Sequence, residues 1–160
     1  MKKIISYLVI VIGLCSPMLF TSCTKEDPIK AKTKTELLCA SSWKMYELTV
    51  NPGIDIGGIV VTDFFTQLEP CTQDDISIYK NNGTGLSDEG PTKCDVSDPQ
   101  STTFTWTFNP SETQVTEDNT DTYDIVQLDE KILKTSQIVD GEDIGGIAGI
   151  KYKLSGSFKH

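Results

Sequence analysis

The dominant pattern along this chain is a two-residue alternation of apolar and polar side chains, repeated from Trp43 almost to the C-terminus. Ile76 and Ile78 alternate with Ser77 and Tyr79, and Phe104, Trp106 and Phe108 alternate with threonines. Near the end, Ile150, Tyr152, Leu154 and Phe158 share one face, opposite Lys151, Lys153, Ser155, Ser157 and Lys159. Period two marks a strand with one buried face. The pattern predicts eight strands: residues 43–50, 76–79, the run after Gly83, 104–108, 113–117, 122–128, 132–139 and 150–158. Residues 36–42 read as a short lead-in of one helical turn. In the first long connection, the glycine-rich stretch 52–59 is unsuited to a central strand. Thr62 or Asp63 then stands as a helix N-cap before Phe64, Phe65 and Leu68, which predicts a short helix there, with another β-strand as the alternative.

The connections carry as much information as the strands. Asn82-Gly83 is the strongest hairpin signal, because a tight primed turn needs positive φ at both central residues. That hairpin draws its outer ends together, and each end carries a cysteine, Cys71 and Cys94. The two are expected to pair and to close a loop that adds about 3 kcal/mol in the chain-entropy account. Links two, four and six (81–83, 109–111 and 129–130) are tight turns, whereas links one, three and seven are long. In an antiparallel meander, odd-numbered links share one end. The long loops and both cysteines therefore gather at one rim. An all-β, eight-stranded antiparallel up-and-down barrel satisfies this arrangement and removes exposed sheet edges. Its interior is either filled by side chains or able to hold one small ligand.

The first 35 residues read as an address. Lys2 and Lys3 precede an apolar run, Ile4 to Phe20, which is the layout of a signal peptide spanning residues 1–22. Phe20-Thr21-Ser22-Cys23 resembles a bacterial lipobox, which implies cleavage before Cys23 and lipid attachment to it. Multiple acyl chains at about 0.8 kcal/mol per buried methylene make a firm membrane anchor. Lys25-Glu26-Asp27 resembles the surface-export signal of Bacteroidetes-type lipoproteins, and implies an outer-membrane, surface-exposed location. Residues 23–35 are expected to be a flexible tether and residues 36–160 the domain. Losing Lys2 and Lys3 with the signal moves the formal charge from −9 to −11. So acidic a chain is a poor partner for nucleic acid, whose binding requires cations against phosphate. With Cys23 acylated and Cys71 paired to Cys94, Cys39 is left as a small apolar core residue.

The domain itself resembles the lipocalin-like domains of Bacteroidetes-type lipoproteins. The matching features are Leu37-Leu38 followed by Trp43, Cys71 with Asp74-Asp75-Ile76, Asn82-Gly83, Cys94 after Glu89-Gly90, and Trp106. Ser41 occupies the position where true lipocalins carry glycine before the tryptophan. The resemblance implies a lipocalin barrel with a long first loop over the mouth of a cup, and no catalytic motif.

Candidate chemistry is sparse. Asp55-Ile-Gly-Gly-Ile59 recurs as Asp143-Ile-Gly-Gly-Ile147, and the barrel places both copies on one rim. Ile54, Ile56, Ile59, Ile144 and Ile147 there form either an apolar contact patch or a plug. Trp43, Phe104, Trp106, Phe108 and Tyr152 either line a ligand cup or pack as plain core. The acidic groups Asp74-Asp75, Asp88-Glu89, Glu117-Asp118, Asp121 and Asp124 lack calcium-loop spacing and read as solvated turns. The single histidine, His160, is the last residue, which disfavours nucleophile–base catalysis. The expectation is a non-enzymatic protein without metal or cofactor. It either binds a small apolar or amphipathic ligand, or contacts a protein partner with a filled barrel.

Overall fold

Thr33 opens the first described helix with a reciprocal cap. Its Oγ1 accepts from Glu36 N, and the Glu36 carboxylate accepts from Thr33 N. This capping box satisfies two otherwise orphan donors and starts α1 (Lys34–Leu38). The computed structural model describes residues 30–160. The signal segment 1–22, Cys23 and Lys25-Glu26-Asp27 lie outside the described residues. The expected tether–domain boundary at residue 36 falls inside α1. No described helix is long and apolar enough to cross a membrane.

Nine antiparallel strands follow: β1 (Ser42–Ile56), β2 (Ile59–Asp63), β3 (Ile76–Tyr79), β4 (Thr84–Asp88), β5 (Ser101–Phe108), β6 (Gln114–Glu117), β7 (Asp121–Leu128), β8 (Ile132–Asp140) and β9 (Lys151–Lys159). Each strand from β3 onward pairs with its successor, and β9 returns to pair with residues 44–51 of β1. β1 also pairs with β3 through residues 42–44. These pairings close an eight-stranded up-and-down barrel, to which β2 is an addition hairpinned onto the far end of β1.

Three local features differ from the sequence reading. First, β1 continues to Ile56, and Ile59–Asp63 is a strand. The helix expected near Phe64 shrinks to one 3-10 turn, Phe65–Gln67. The cause is Gly57-Gly58, with φ of 66° and 90°, which makes a two-residue hairpin turn and lets β-branched Ile59, Val60 and Val61 pair back onto β1. Second, Asn82-Gly83 is not a primed turn. Only Gly83 has positive φ, 79°, and its N–H donates to Lys80 O at 3.0 Å. The Asn82 side chain instead accepts from Thr84 N at 3.1 Å. Third, positive φ at both central residues occurs at Asp118 (46°) and Asn119 (59°), where Thr120 N donates to Glu117 O at 2.9 Å.

The ends of the barrel differ, as the alternation of link lengths predicts. The connections after β2, β4 and β8 gather at one end. There Cys71 and Cys94 form a disulfide with Cα atoms 5.2 Å apart. The turns after β3, β5 and β7 lie at the other end, beside α1, where Lys34 Nζ donates to Glu112 O. Leu38 of α1 is fully buried in a cluster with Trp43, Tyr79, Trp106, Val115 and Leu133, so α1 forms the barrel's floor. A second cluster of Val50, Ile54 and Tyr152 lies toward the long-loop end, with Phe64, Val139, Ile144 and Leu154 packed on it. At Gly85 the Phe104 ring of the neighbouring strand covers the bare backbone, and a Cβ there would lie 2.2 Å from Phe104 Cζ.

Candidate ligand cavity

Alternation decides which side chains enter the barrel. From the cross-strand pairs, Trp43 lies opposite Ser77, Tyr79 opposite Gly85, Val115 opposite Tyr123, and Leu133 opposite Phe158. These inward residues do not fill the interior. A cavity of about 210 Å³ is lined by Trp43, Met45, Ser77, Tyr79, Val115, Glu117, Tyr123, Leu133, Thr135 and Phe158. A second lobe of about 200 Å³ adds Leu48, Gln137, Leu154 and Gly156, among others. The two share Met45, Tyr123, Thr135 and Phe158 and so adjoin across these four side chains. Gly156 contributes no side chain to the second lobe.

The floor of the first lobe is rigid. Trp43 is 1% exposed, and its indole Nε1 donates to Leu38 O at 2.8 Å, tying the barrel wall to the end of α1. Tyr79 packs edge-on against Phe104 and Trp106, with ring centroids 5.4 and 5.7 Å apart, and Trp106 packs edge-on against Phe108 at 5.5 Å. Such T-shaped pairs align ring edges with ring faces and add to plain area burial. Trp106 Nε1 donates to Lys80 O and Thr84 O, which pins the β3–β4 turn to this layer.

Glu117 is the only carboxylate among the residues lining the first lobe. Tyr79 donates its hydroxyl to Glu117 Oε1. Burial pushes the Glu117 carboxyl above the usual range; the Tyr79 hydrogen bond opposes the shift, and nearby Asp121 and Asp118 add to it. Burial, with Glu117 second, likewise holds the Tyr79 phenol well above its ordinary value. Tyr123 is pushed up to about 12, by burial first and then by Glu117 and Asp121. Both phenols therefore stay protonated, and the site combines aromatic walls, two hydroxyls and one carboxyl.

A pH effect follows from the direction of the Glu117 shift. A folded-state pKa above the unfolded one means that the unfolded chain gives up this proton first. Its favourable contribution is complete below the ordinary Glu value of ~4.3 and is lost as pH rises through the raised folded value. Wild type is therefore expected to lose stability relative to Glu117→Gln as pH rises from about 4 to 7. Urea unfolding at both pH values checks this; an equal change in the two proteins would contradict it.

The residues singled out from sequence fall in different places. Of the five aromatic candidates, Trp43 lines the cavity. Phe104, Trp106 and Phe108 form the packed layer beside Tyr79, and Tyr152 belongs to the second cluster. Of the five isoleucines, Ile54 is 2% exposed and Ile144 packs beside it. Ile56, Ile59 and Ile147 are 48%, 69% and 67% exposed. None of the five is among the residues lining either lobe. Cys39 is a free, partly buried thiol packed against the main core, and burial pushes its pKa up.

The reading of the acidic groups as solvated turns needs correction: Asp74 Oδ1 and Asp75 Oδ1 are buried without a hydrogen-bond partner among the described residues, and burial raises the Asp75 pKa. Glu117 is not a solvated turn acid; it lies on the inner face of β6 two residues after buried Val115. The parity of that strand was the available signal. Tyr79 also escaped, because the alternation of β3 reads with Ile76 and Ile78 as the buried face, whereas Ser77 and Tyr79 face the barrel interior; Tyr123 and Met45 were not singled out at all.

A scan of the chain against protein-family models matches none, and a search of curated proteins finds no match.

Proposed function

We propose that this protein is a lipid-anchored envelope lipoprotein whose lipocalin-like barrel binds a small apolar or amphipathic molecule without transforming it. The observation that carries the reading is the two-lobed cavity inside a barrel closed at one end by α1. Ligand sites are concave, mostly apolar and largely preformed, with a few polar groups that orient the occupant. Here Trp43, Met45, Leu133 and Phe158 supply the apolar wall, and Ser77, Thr135 and Glu117 the polar points. Two lobes of about 210 and 200 Å³ suit a slender, short-chain molecule better than a bulky one. Anchorage through Cys23 and display through Lys25-Glu26-Asp27 rest on the sequence motifs.

The test is native mass spectrometry of protein purified from its own envelope, with calorimetric titration of octanol into the delipidated protein. The expected results are a retained small molecule and saturable one-to-one octanol binding. Neither an adduct nor heat of binding would leave the barrel a scaffold. In that case exposed Ile56, Ile59 and Ile147 would favour the alternative, contact with a protein partner through the long-loop rim. Cys23→Ser is expected to abolish fatty-acid labelling, and external protease should reach the domain on intact cells.

A further inference from the structure

We propose that the molecule this barrel holds is an amphiphile with a cationic amine head, seated with its ammonium against Glu117 and its apolar tail along the second lobe. The inference rests on the binding reading above and assigns the chemical class of the ligand.

Five observations point the same way. The first lobe places one carboxylate among aromatic and aliphatic side chains, and neither lobe has a lysine or arginine in its lining to neutralise it. A carboxylate withdrawn from water is unfavourable unless paired, and a ligand cation supplies the missing partner. The carboxylate is also aimed: Tyr79, itself fixed by Phe104 and Trp106, holds Glu117 Oε1 in one orientation. A preset acceptor binds a donor at low ordering cost. Around it stand the rings of Trp43, Tyr79 and Tyr123, whose π faces attract cations and do nothing for anions.

The polarity of the cavity is graded in the direction an alkylamine needs. The one charged side chain, Glu117, belongs to the first lobe, while the second adds Leu48, Leu154 and the side-chain-free Gly156 with only the uncharged polar residues Ser136 and Gln137. Met45, Tyr123, Thr135 and Phe158 line both and join the two ends. Finally, the long-range field favours a cation. Asp118 and Asp121 sit in and beside the turn that follows Glu117, and the whole chain carries a formal charge of −9. A field of one sign concentrates cations and repels fatty-acid carboxylates.

Three probes of equal chain length decide the matter: octylamine, octanol and octanoate, titrated at pH 7 and moderate salt by calorimetry. The expected order is octylamine tightest, by about tenfold or more over octanol, as a charge-assisted contact supplies, with octanoate weakest. Octanol should displace octylamine, placing both in one site. In Glu117→Gln, which preserves size and can still accept from Tyr79, the amine advantage over octanol should fall to about twofold or less. Octylamine binding no more tightly than octanol, or an amine advantage that survives Glu117→Gln, would overturn the proposal while leaving the binding reading intact. If none of the three binds, both fall. Should the variant not fold, the wild-type ranking alone decides.

Discussion

Truncating Trp43 to alanine is expected to lower unfolding free energy by about 3–5 kcal/mol, the range for removing a large aromatic from a packed core. Trp43 is 1% exposed and joins three parts of the molecule. Its ring packs with Leu38, Tyr79, Trp106, Val115 and Leu133 and lies 4.1 Å from the His160 ring, its indole N–H holds the last carbonyl of α1, and it lines the cavity. The barrel already contains empty space beside it, so the surroundings can relax only by collapsing the cavity. Typical domains have only about 5–15 kcal/mol of net stability, so the variant would sit near the edge of folding. Trp43→Phe separates the contributions. It keeps an aromatic ring but strips Leu38 O of its buried donor, for an expected loss of about 1–3 kcal/mol. Equilibrium urea unfolding of the three proteins measures both. A loss below about 1 kcal/mol for Trp43→Ala would mean that α1 and the barrel floor are held elsewhere.

Opening the Cys71–Cys94 bridge is the second large effect. The double variant Cys71→Ser, Cys94→Ser should be less stable by about 3 kcal/mol, because the unfolded chain regains the freedom of the closed loop. The 23-residue separation enters that estimate only logarithmically, so the value is insensitive to the loop's exact length. The native state should change locally. The bridge ties the 3-10 turn Thr72–Asp74 to the loop that follows β4, where Asp74 Oδ2 also accepts from Thr92 N at 3.1 Å and Thr92 Oγ1 at 2.7 Å. Those bonds are exposed and weak alone. Limited proteolysis of the double variant should therefore cut within residues 89–100 before any other segment, while the far-UV spectrum stays that of the barrel. Unchanged denaturation midpoints with and without reductant would show that the bridge contributes nothing to folding.

The fold was largely legible because barrel formation depends on a local rule. Side chains alternate across a strand whatever surrounds it. Phe104, Trp106 and Phe108, or Ile150 through Phe158, therefore announce a strand and its buried face without knowledge of the partner strand. Link length is equally local, and the alternation of tight and long links was enough to put Cys71 and Cys94 at one end. The misjudged details were those in which one glycine conformation outweighs a propensity. Gly57-Gly58 turned an expected loop and helix into a hairpin, and Gly83 alone took the left-handed position that Asn82-Gly83 was expected to share.

The site was much less legible, for a different reason. A cavity is what remains after every side chain has been placed, and no single stretch of chain encodes it. Trp43, Tyr79, Glu117, Tyr123 and Phe158 come from five strands, and only closure of the barrel brings them together. Glu117 shows the difference most clearly. In sequence it is one acid in a polar turn beside Asp118 and Asp121. In the closed barrel the turn at Asp118-Asn119 leaves it on the inner face, against Tyr79, 38 positions away in sequence but one hydrogen bond away in space.

Sequence alone settled the all-β class, the order of the strands, the two unlike ends and the cysteine pair, since each follows from alternation and spacing along the chain. Only the tertiary structure decided that the interior is not completely filled and that one carboxyl faces it. Closure brings distant strands together, and the volume between them depends on all of their side chains at once.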